Sequence, residues 1–203
     1  MYSTHKTKIY KFSYSSIILP DSFPLSAAQK IKLSKFTFLQ DQEKYLKRHY
    51  ILNNILAKLL EHYEVCYDPN GRLYLRNYDL NISITHSNDY FIIGISEQHK
   101  LGLDIEELAY LPNLSAQAQI FLTKEELHYF SRSKQNILVF YKFWTAKEAI
   151  LKALGTGFLL EAKNLNICLE HMQANFNDNK DNIAQIFFRF EQFENYLTCI
   201  AHI

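Results

Sequence analysis

The chain has 203 residues, 48% hydrophobic and 15% aromatic, which is enough for one domain or two small ones around a sizeable core and too apolar for a disordered chain. Its 22 basic and 21 acidic residues leave a formal charge of +1, which excludes bulk coating of nucleic acid or another polyanion but not local basic clusters. Cys66, Cys168 and Cys199 are far apart and lack CxxC spacing, so the expectation is buried thiols in a reducing compartment, not a disulfide framework or a zinc site. No run approaches the roughly 18 apolar residues of a membrane span, and the N-terminus has only the short run "IIL", so a cytoplasmic protein away from membranes is expected.

In chain order, partial alternation predicts a strand over 8–19 and a helix over 26–36. A long helix is predicted over 41–63, capped by Asp41, with Tyr45, Ile51, Leu52, Ile55, Leu56, Leu59 and Leu60 on one apolar stripe. "DPNG" at 68–71 is a turn, followed by strand patterns at 72–75, 81–87, 89–97 and 100–107. A helix at 123–131 opens with the capping-box pair Thr123 and Glu126. Another starts near Asn136 and runs to a glycine stop, and strands are predicted at 163–170, 182–191 and 195–203. The hairpin-like pattern at 82–96 recurs at 188–202. Both halves run helix then hairpin, so the reading is α+β: an N-terminal half at 1–101 and a C-terminal half at 102–203, packed as one unit.

The stretch "FWTAKEAILKALGTG" (143–157) carries charge within an apolar helix. Lys147 has Phe143, Trp144, Ile150 and Leu151 as its helical neighbours. Glu148 lies one turn before Lys152. The plain reading is a Glu148–Lys152 ion pair with Lys147 snorkelling outward. Gly155 is placed as a left-handed helix cap, and Gly157 suggests a tight backbone path near a ligand or partner. In "GLDIEE" the carboxylates of Asp104 and Glu106 are two apart, hence on one face of a strand. They repel unless a cation sits between them. A hard divalent ion takes such oxygen ligands together with phosphate oxygens. Glu148 would be a third ligand, and Lys147 and Lys152 would neutralise phosphate charge.

"GLDIEE" followed by "FWTAKEAILKALGTG" resembles the paired signature of the 4'-phosphopantetheinyl transferase superfamily. Trp144, Lys147, Glu148, Ala149, Lys152, Gly155 and Gly157 meet every fixed position of its second motif, [FW]-x-x-K-E-[AS]-x-x-K-x-x-G-x-G. The length and the upstream "SITHS" resemble the larger, monomeric type that activates peptide synthetases. That resemblance implies two similar helix-plus-antiparallel-sheet halves forming a pseudo-dimer. It implies Mg²⁺-dependent transfer of the phosphopantetheine arm of coenzyme A to a serine of an apo acyl or peptidyl carrier protein, releasing adenosine 3',5'-bisphosphate.

The resemblance also implies residue roles. Asp104, Glu106 and Glu148 match the metal carboxylates. Glu148, or a water held by the metal, would take the serine proton, and Lys147 and Lys152 would stabilise the phosphates. The nucleotide pocket would come from the first half. Arg48 lies where the family has arginine, with His49 in the matching column. Arg72 stands in "GRLYL", similar to the family's "GKP-x-L", with Leu73 replacing proline. Thr85 and His86 in "SITHS" resemble "ISHS", and Lys32 and Lys35 have the spacing of a basic pair. The apolar residues 158–160 fall where the family meets its carrier.

Three other readings remain at this stage. One is a metal-dependent nuclease using Asp104 with "EAK" at 161–163. The second is a non-catalytic binder of coenzyme A or carrier protein. The third is a plain structural α+β domain, which must treat both motif matches as coincidence.

Overall fold

The structure is a computed structural model that describes residues 7–134, 136–155, 162–176 and 186–203. Two antiparallel sheets carry the described chain. In the first, β1 (Thr7–Ser13), β5 (Tyr90–Ser96) and β4 (Asn81–Ser87) lie in the order β1-β5-β4. In the second, β6 (Leu101–Glu107), β10 (Tyr196–His202), β9 (Ile186–Phe193), β8 (Gln173–Phe176) and β7 (Leu165–Cys168) lie in the order β6-β10-β9-β8-β7. A separate ribbon pairs β2 (Val65–Tyr67) with β3 (Leu73–Leu75). The class is α+β, as the sequence pattern predicts.

The two sheets share a construction. β1 pairs with the second strand of the β4–β5 hairpin, from Thr7↔Ser96 to Ser13↔Tyr90. β6 pairs with the second strand of the β9–β10 hairpin, from Leu101↔His202 to Glu107↔Tyr196. Each hairpin turns on two residues, the first of them left-handed: Asn88 at φ 45° and Glu194 at φ 50°. Such turns match the twist of the flanking strands.

The helices follow from local chemistry. Ser26 and Gln29 form a capping box on α1 (Ala27–Leu33). Thr123 and Glu126 do the same for α4 (Lys124–Arg132), as expected. The stripe of α2 (Leu39–Leu59) buries Leu52 and Leu56 against Ile82, Phe91 and Ile93, and Tyr45 beside Phe36 and His49, although Leu59 at its end is exposed. Asp41 is not its cap: the N-cap is Phe38, and Asp41 sits in the first turn, where its charge complements the helix dipole. The strand expected at 8–19 ends at Ser13, whose hydroxyl caps a 3-10 turn at Tyr14–Ser16. The short α3 (Leu114–Phe121), the strand β2 and the strand β8 had no counterpart in the sequence reading.

α5 (Asn136–Leu154) packs Phe140, Phe143, Ala146 and Ile150 against Leu165, Ile167, Phe188 and Cys199. Each large apolar side chain so buried contributes about 1.5–3 kcal/mol. The helix also lies directly on β6. A Cβ at Gly102 would stand 1.8 Å from the Ala149 carbonyl oxygen and 2.6 Å from the Ala153 nitrogen, so only glycine permits this approach. The helix ends as predicted at Gly155, φ +72°, whose N–H returns to the Leu151 carbonyl.

Among the described residues, β4 and β6 are not joined by a backbone ladder. Instead the Ser83, Thr85 and Ser87 hydroxyls of β4 accept the Leu103, Ile105 and Glu107 N–H groups of β6, at 3.0, 3.3 and 3.2 Å. A core of Ile92, Leu103, Ile105 and Ile200 fills the space between the sheets. Cys66 and Cys199 are buried free thiols and Cys168 is a half-buried one. No described helix is long and apolar enough to cross a membrane.

Candidate active site

β6 sets Asp104 and Glu106 two residues apart, and α5 brings Trp144, Glu148 and Lys152 against them. Asp104 is 5% exposed. Its Oδ1 accepts from Lys152 Nζ at 2.6 Å and from the Thr85 hydroxyl at 3.3 Å, while Oδ2 is buried with no hydrogen-bond partner among the described residues. Glu106 Oε1 accepts from Trp144 Nε1 at 3.2 Å, and the Trp144 ring is itself stacked on Phe121. Glu148 is half-buried in the wall of a cleft, and no described residue gives its carboxylate a hydrogen bond or an ion pair. The plain Glu148–Lys152 pair is therefore not formed: Lys152 pairs with Asp104.

Burial raises the pKa of all three carboxylates. For Asp104 it outweighs the pull of Lys152. Glu106 is pushed up to about 7 by burial and by the charge of Asp104. Glu148 is raised by burial and then by Asp104. The group is short of positive charge.

The cleft has a volume of about 710 Å³ and is lined from both sheets' sides, a size typical of small-molecule sites. Glu148, Leu151, Lys152 and Gly155 line it from α5, and Lys32, Arg48, His49, Arg72 and His86 from the first half. Arg48 is 9% exposed, donates to the Tyr14 hydroxyl, and has no carboxylate partner among the described residues. Arg72 donates to the Asn81 side chain at 3.2 Å and the Ala153 carbonyl at 3.4 Å, so it bridges β4 and α5. Its guanidinium occupies the space a Cβ on Gly155 would need. Lys32 donates to the Gly71 carbonyl, 3.2 Å, over the Tyr67 ring. Its pKa is lowered by burial and then by Arg48 and Lys35. His86 opens to solvent at the cleft, yet surrounding protein and then Arg48, Lys152 and Lys44 bring its pKa down to about 4, so it is neutral at pH 7.

Lys35 is exposed and outside the cleft lining. His49, one residue past Arg48, also faces the cleft. Gln29 Nε2 donates to its Nδ1 at 2.9 Å, the Tyr67 hydroxyl lies 3.0 Å from its Nε2, and burial first, then Arg48, lowers its pKa to about 3.

Two residues stand elsewhere than the motif pattern suggests. Lys147, expected on the phosphates, is fully buried. Its Nζ pairs with Glu126 Oε2 at 2.7 Å and donates to the carbonyls of Ala162 (2.9 Å) and Phe121 (3.3 Å). An ammonium has three donors, so none remains for a ligand. Glu126 was legible in the sequence only as a helix cap; a buried helical lysine was the signal that an acidic partner had to exist. Thr85, expected on the nucleotide, is 3% exposed and points its hydroxyl at Asp104 and Lys152, outside the cleft lining. Gly157, the apolar residues 158–160 and Glu161 of the "EAK" pattern lie outside the described residues.

The donor set suits a hard divalent cation in its chemistry: three carboxylates with raised pKa and an orphaned buried Asp104 Oδ2. Among the described residues no three His, Cys, Asp or Glu side chains are grouped closely enough to hold a metal ion. The positive charge at Asp104 comes from Lys152.

The sequence model of the 4'-phosphopantetheinyl transferase superfamily matches residues 100–201, the span that holds β6, α5 and the carboxylates. A Synechocystis sp. protein provisionally named a 4'-phosphopantetheinyl transferase is 27% identical over 142 residues, 66% of this chain and 58% of its own. The 4'-phosphopantetheinyl transferase gsp of Aneurinibacillus migulanus is 27% identical over 122 residues, 59% of this chain and 50% of its own. The mouse L-aminoadipate-semialdehyde dehydrogenase-phosphopantetheinyl transferase is 24% identical over 156 residues, 68% of this chain and 50% of its own. The chain spans about half the length of the curated relatives it matches. With half of its residues matching the family model, the chain belongs to the 4'-phosphopantetheinyl transferase superfamily.

Proposed function

We propose that the chain transfers the 4'-phosphopantetheine arm of coenzyme A to a serine hydroxyl of an apo acyl or peptidyl carrier protein, releasing adenosine 3',5'-bisphosphate. One observation carries this reading: a single cleft sets the cations Lys32, Arg48 and Arg72 of the first half opposite Glu148 and Lys152 of α5. That arrangement suits a long ligand with phosphate groups at both ends of its nucleotide.

In this reading residues 1–101 bind the nucleotide and 102–203 carry the chemistry, within one monomeric pseudo-dimer. Arg48, Arg72 and Lys32 take the anionic groups, and neutral His86 donates or accepts one hydrogen bond at their edge. Mg²⁺ bound by Asp104, Glu106 and Glu148 would neutralise charge on the pyrophosphate. Lys152 places its ammonium beside that charge. The serine oxygen forms the new bond to phosphorus as the bond to the bridging oxygen breaks. That oxygen leaves with adenosine 3',5'-bisphosphate, and the serine proton passes to Glu148 or to a water beside it. The free thiols fit a reducing, cytoplasmic setting.

Intact-mass spectrometry of apo carrier proteins incubated with the chain, coenzyme A and Mg²⁺ tests the reading. A chelator-sensitive gain of one phosphopantetheine is expected. No gain on acyl or peptidyl carriers that a control enzyme modifies overturns it.

A further inference from the structure

The three hydroxyls of "SITHS" that dock β4 on β6 are not equivalent. Ser83 and Ser87 each accept one backbone N–H of β6. Thr85 accepts the Ile105 N–H in the same way, but its oxygen also stands 3.3 Å from Lys152 Nζ and 3.3 Å from Asp104 Oδ1. A hydroxyl has one proton and two lone pairs. The amide and the ammonium can only donate, so they take the lone pairs, and the hydroxyl proton is left for Asp104 Oδ1. Lys152 donates to the same oxygen at 2.6 Å. Oδ1 is thus held by two hydrogen bonds, and the buried Oδ2, which has none among the described residues, is the atom left free.

We propose that Thr85 is a positioning residue. Anchored to the β6 backbone, its hydroxyl fixes the Asp104 carboxylate so that Oδ1 is spent on the protein and Oδ2 is presented to a divalent cation. The inference rests on the metal-site reading above. It gives Thr85 a task distinct from that of its neighbour His86, which faces the cleft. It requires the hydroxyl and not the methyl group, so serine serves and valine does not. Carboxylate ligands are oriented by such outer hydrogen bonds, and losing one weakens metal binding roughly ten- to a hundredfold.

The test is direct Mn²⁺ binding, read as loss of the free-ion paramagnetic resonance signal, on the whole folded chain without coenzyme A. Thr85→Val should bind Mn²⁺ roughly ten- to a hundredfold more weakly, and Thr85→Ser as tightly as the parent. Ser87→Ala removes an equivalent acceptor from the β6 backbone without touching Asp104, and should leave Mn²⁺ affinity unchanged. At saturating Mn²⁺ the Michaelis constant for coenzyme A should not move in Thr85→Val. Parent-like Mn²⁺ affinity in Thr85→Val overturns the proposal and leaves the metal site standing. A tenfold loss in Thr85→Ser, or in Ser87→Ala, also overturns it, and the serine result stands even where the valine variant does not fold. No Mn²⁺ binding by the parent overturns both the proposal and the metal-site reading beneath it.

Discussion

Lys147 Nζ lies 2.7 Å from Glu126 Oε2, and both side chains are shut away from solvent. The pair is saturated. The carbonyls of Ala162 and Phe121 take the other ammonium donors, while Glu126 accepts the Thr123 N–H at 2.8 Å and the Ile167 N–H at 2.7 Å. One ion pair therefore ties α4, α5, the end of α3 and β7 behind the cleft. Removing one partner strands a buried charge, so Lys147→Met or Glu126→Gln alone should cost about 3–5 kcal/mol. The double replacement should recover part of that loss. Urea unfolding of the four proteins checks this, and a parent-like midpoint in Lys147→Met would refute it.

That pair also marks how far the sequence could be read. Helix periodicity and capping boxes located α1, α4 and α5, and alternation located the hairpin strands of both sheets, because those signals are local. Strand geometry put Asp104 and Glu106 on one face of β6 and helix geometry put Glu148 and Lys152 one turn apart on α5, while the meeting of strand and helix was implied only by the family resemblance. Direction was illegible where it depends on a distant partner. Lys147 has apolar helical neighbours in the sequence, but they fit a snorkelling lysine equally well, and only the tertiary position of Glu126 turns it inward. Thr85 and His86 are adjacent, and pleat alternation sends them to opposite sides. α3 was missed because its eight residues carry no capping side chain and follow a left-handed Asn113.

Asp104 and Glu148 should be separable from the fold. Neither carboxylate has a full set of hydrogen bonds among the described residues, and burial opposes the charge on each. Asp104→Asn and Glu148→Gln should therefore unfold at parent-like or higher urea concentration in the absence of metal. Transfer to a carrier should fall by roughly a hundredfold or more, the scale for losing an electrostatic group at a reacting centre. Undiminished transfer in either variant would remove that residue from the chemistry.

Glu106 gives a pH dependence with a definite sign. Its pKa is raised from 4.5 to about 7, so between those values the folded chain holds a proton that the unfolded chain has released. Glu106's own contribution to metal-free stability should therefore fall as pH rises from about 4.5 to about 7 and level off above, while the lowered values of His49, His86 and His202 add stability as pH rises toward 6.5. Raised values at Asp104 and Glu148 act in the same direction as that of Glu106. Glu106→Gln should therefore gain stability relative to the parent as pH rises from 5 to 7 and keep that gain at pH 8, and saturating Mg²⁺ should offset the gap by stabilising the parent. Urea midpoints at pH 5, 6, 7 and 8 with and without Mg²⁺ measure this. An advantage of Glu106→Gln over the parent that does not grow across that window would contradict it.

Arg48 is a buried cation of the cleft with no carboxylate partner among the described residues, and Tyr14 is what holds it. The Tyr14 ring is 4% exposed, packed on Phe91 in the turn after β1, and its hydroxyl accepts from Arg48 Nη1. Its backbone is fixed in turn, since Tyr14 N donates to the Asp89 carbonyl at 2.6 Å and the Asp89 carboxylate accepts from Ser13 and Ser15. Tyr14→Phe keeps the packing and frees the guanidinium. If Arg48 meets the 3'-phosphate of coenzyme A, the looser arginine should raise the Michaelis constant for coenzyme A about fivefold, the worth of about 1 kcal/mol of hydrogen bonding. Dephospho-coenzyme A, which lacks that phosphate, should show no change between parent and variant. Arg48→Met should widen the same difference. An equal rise for both donors would mean that Tyr14 and Arg48 support the cleft as a whole, and would move the 3'-phosphate toward Lys32 and Arg72.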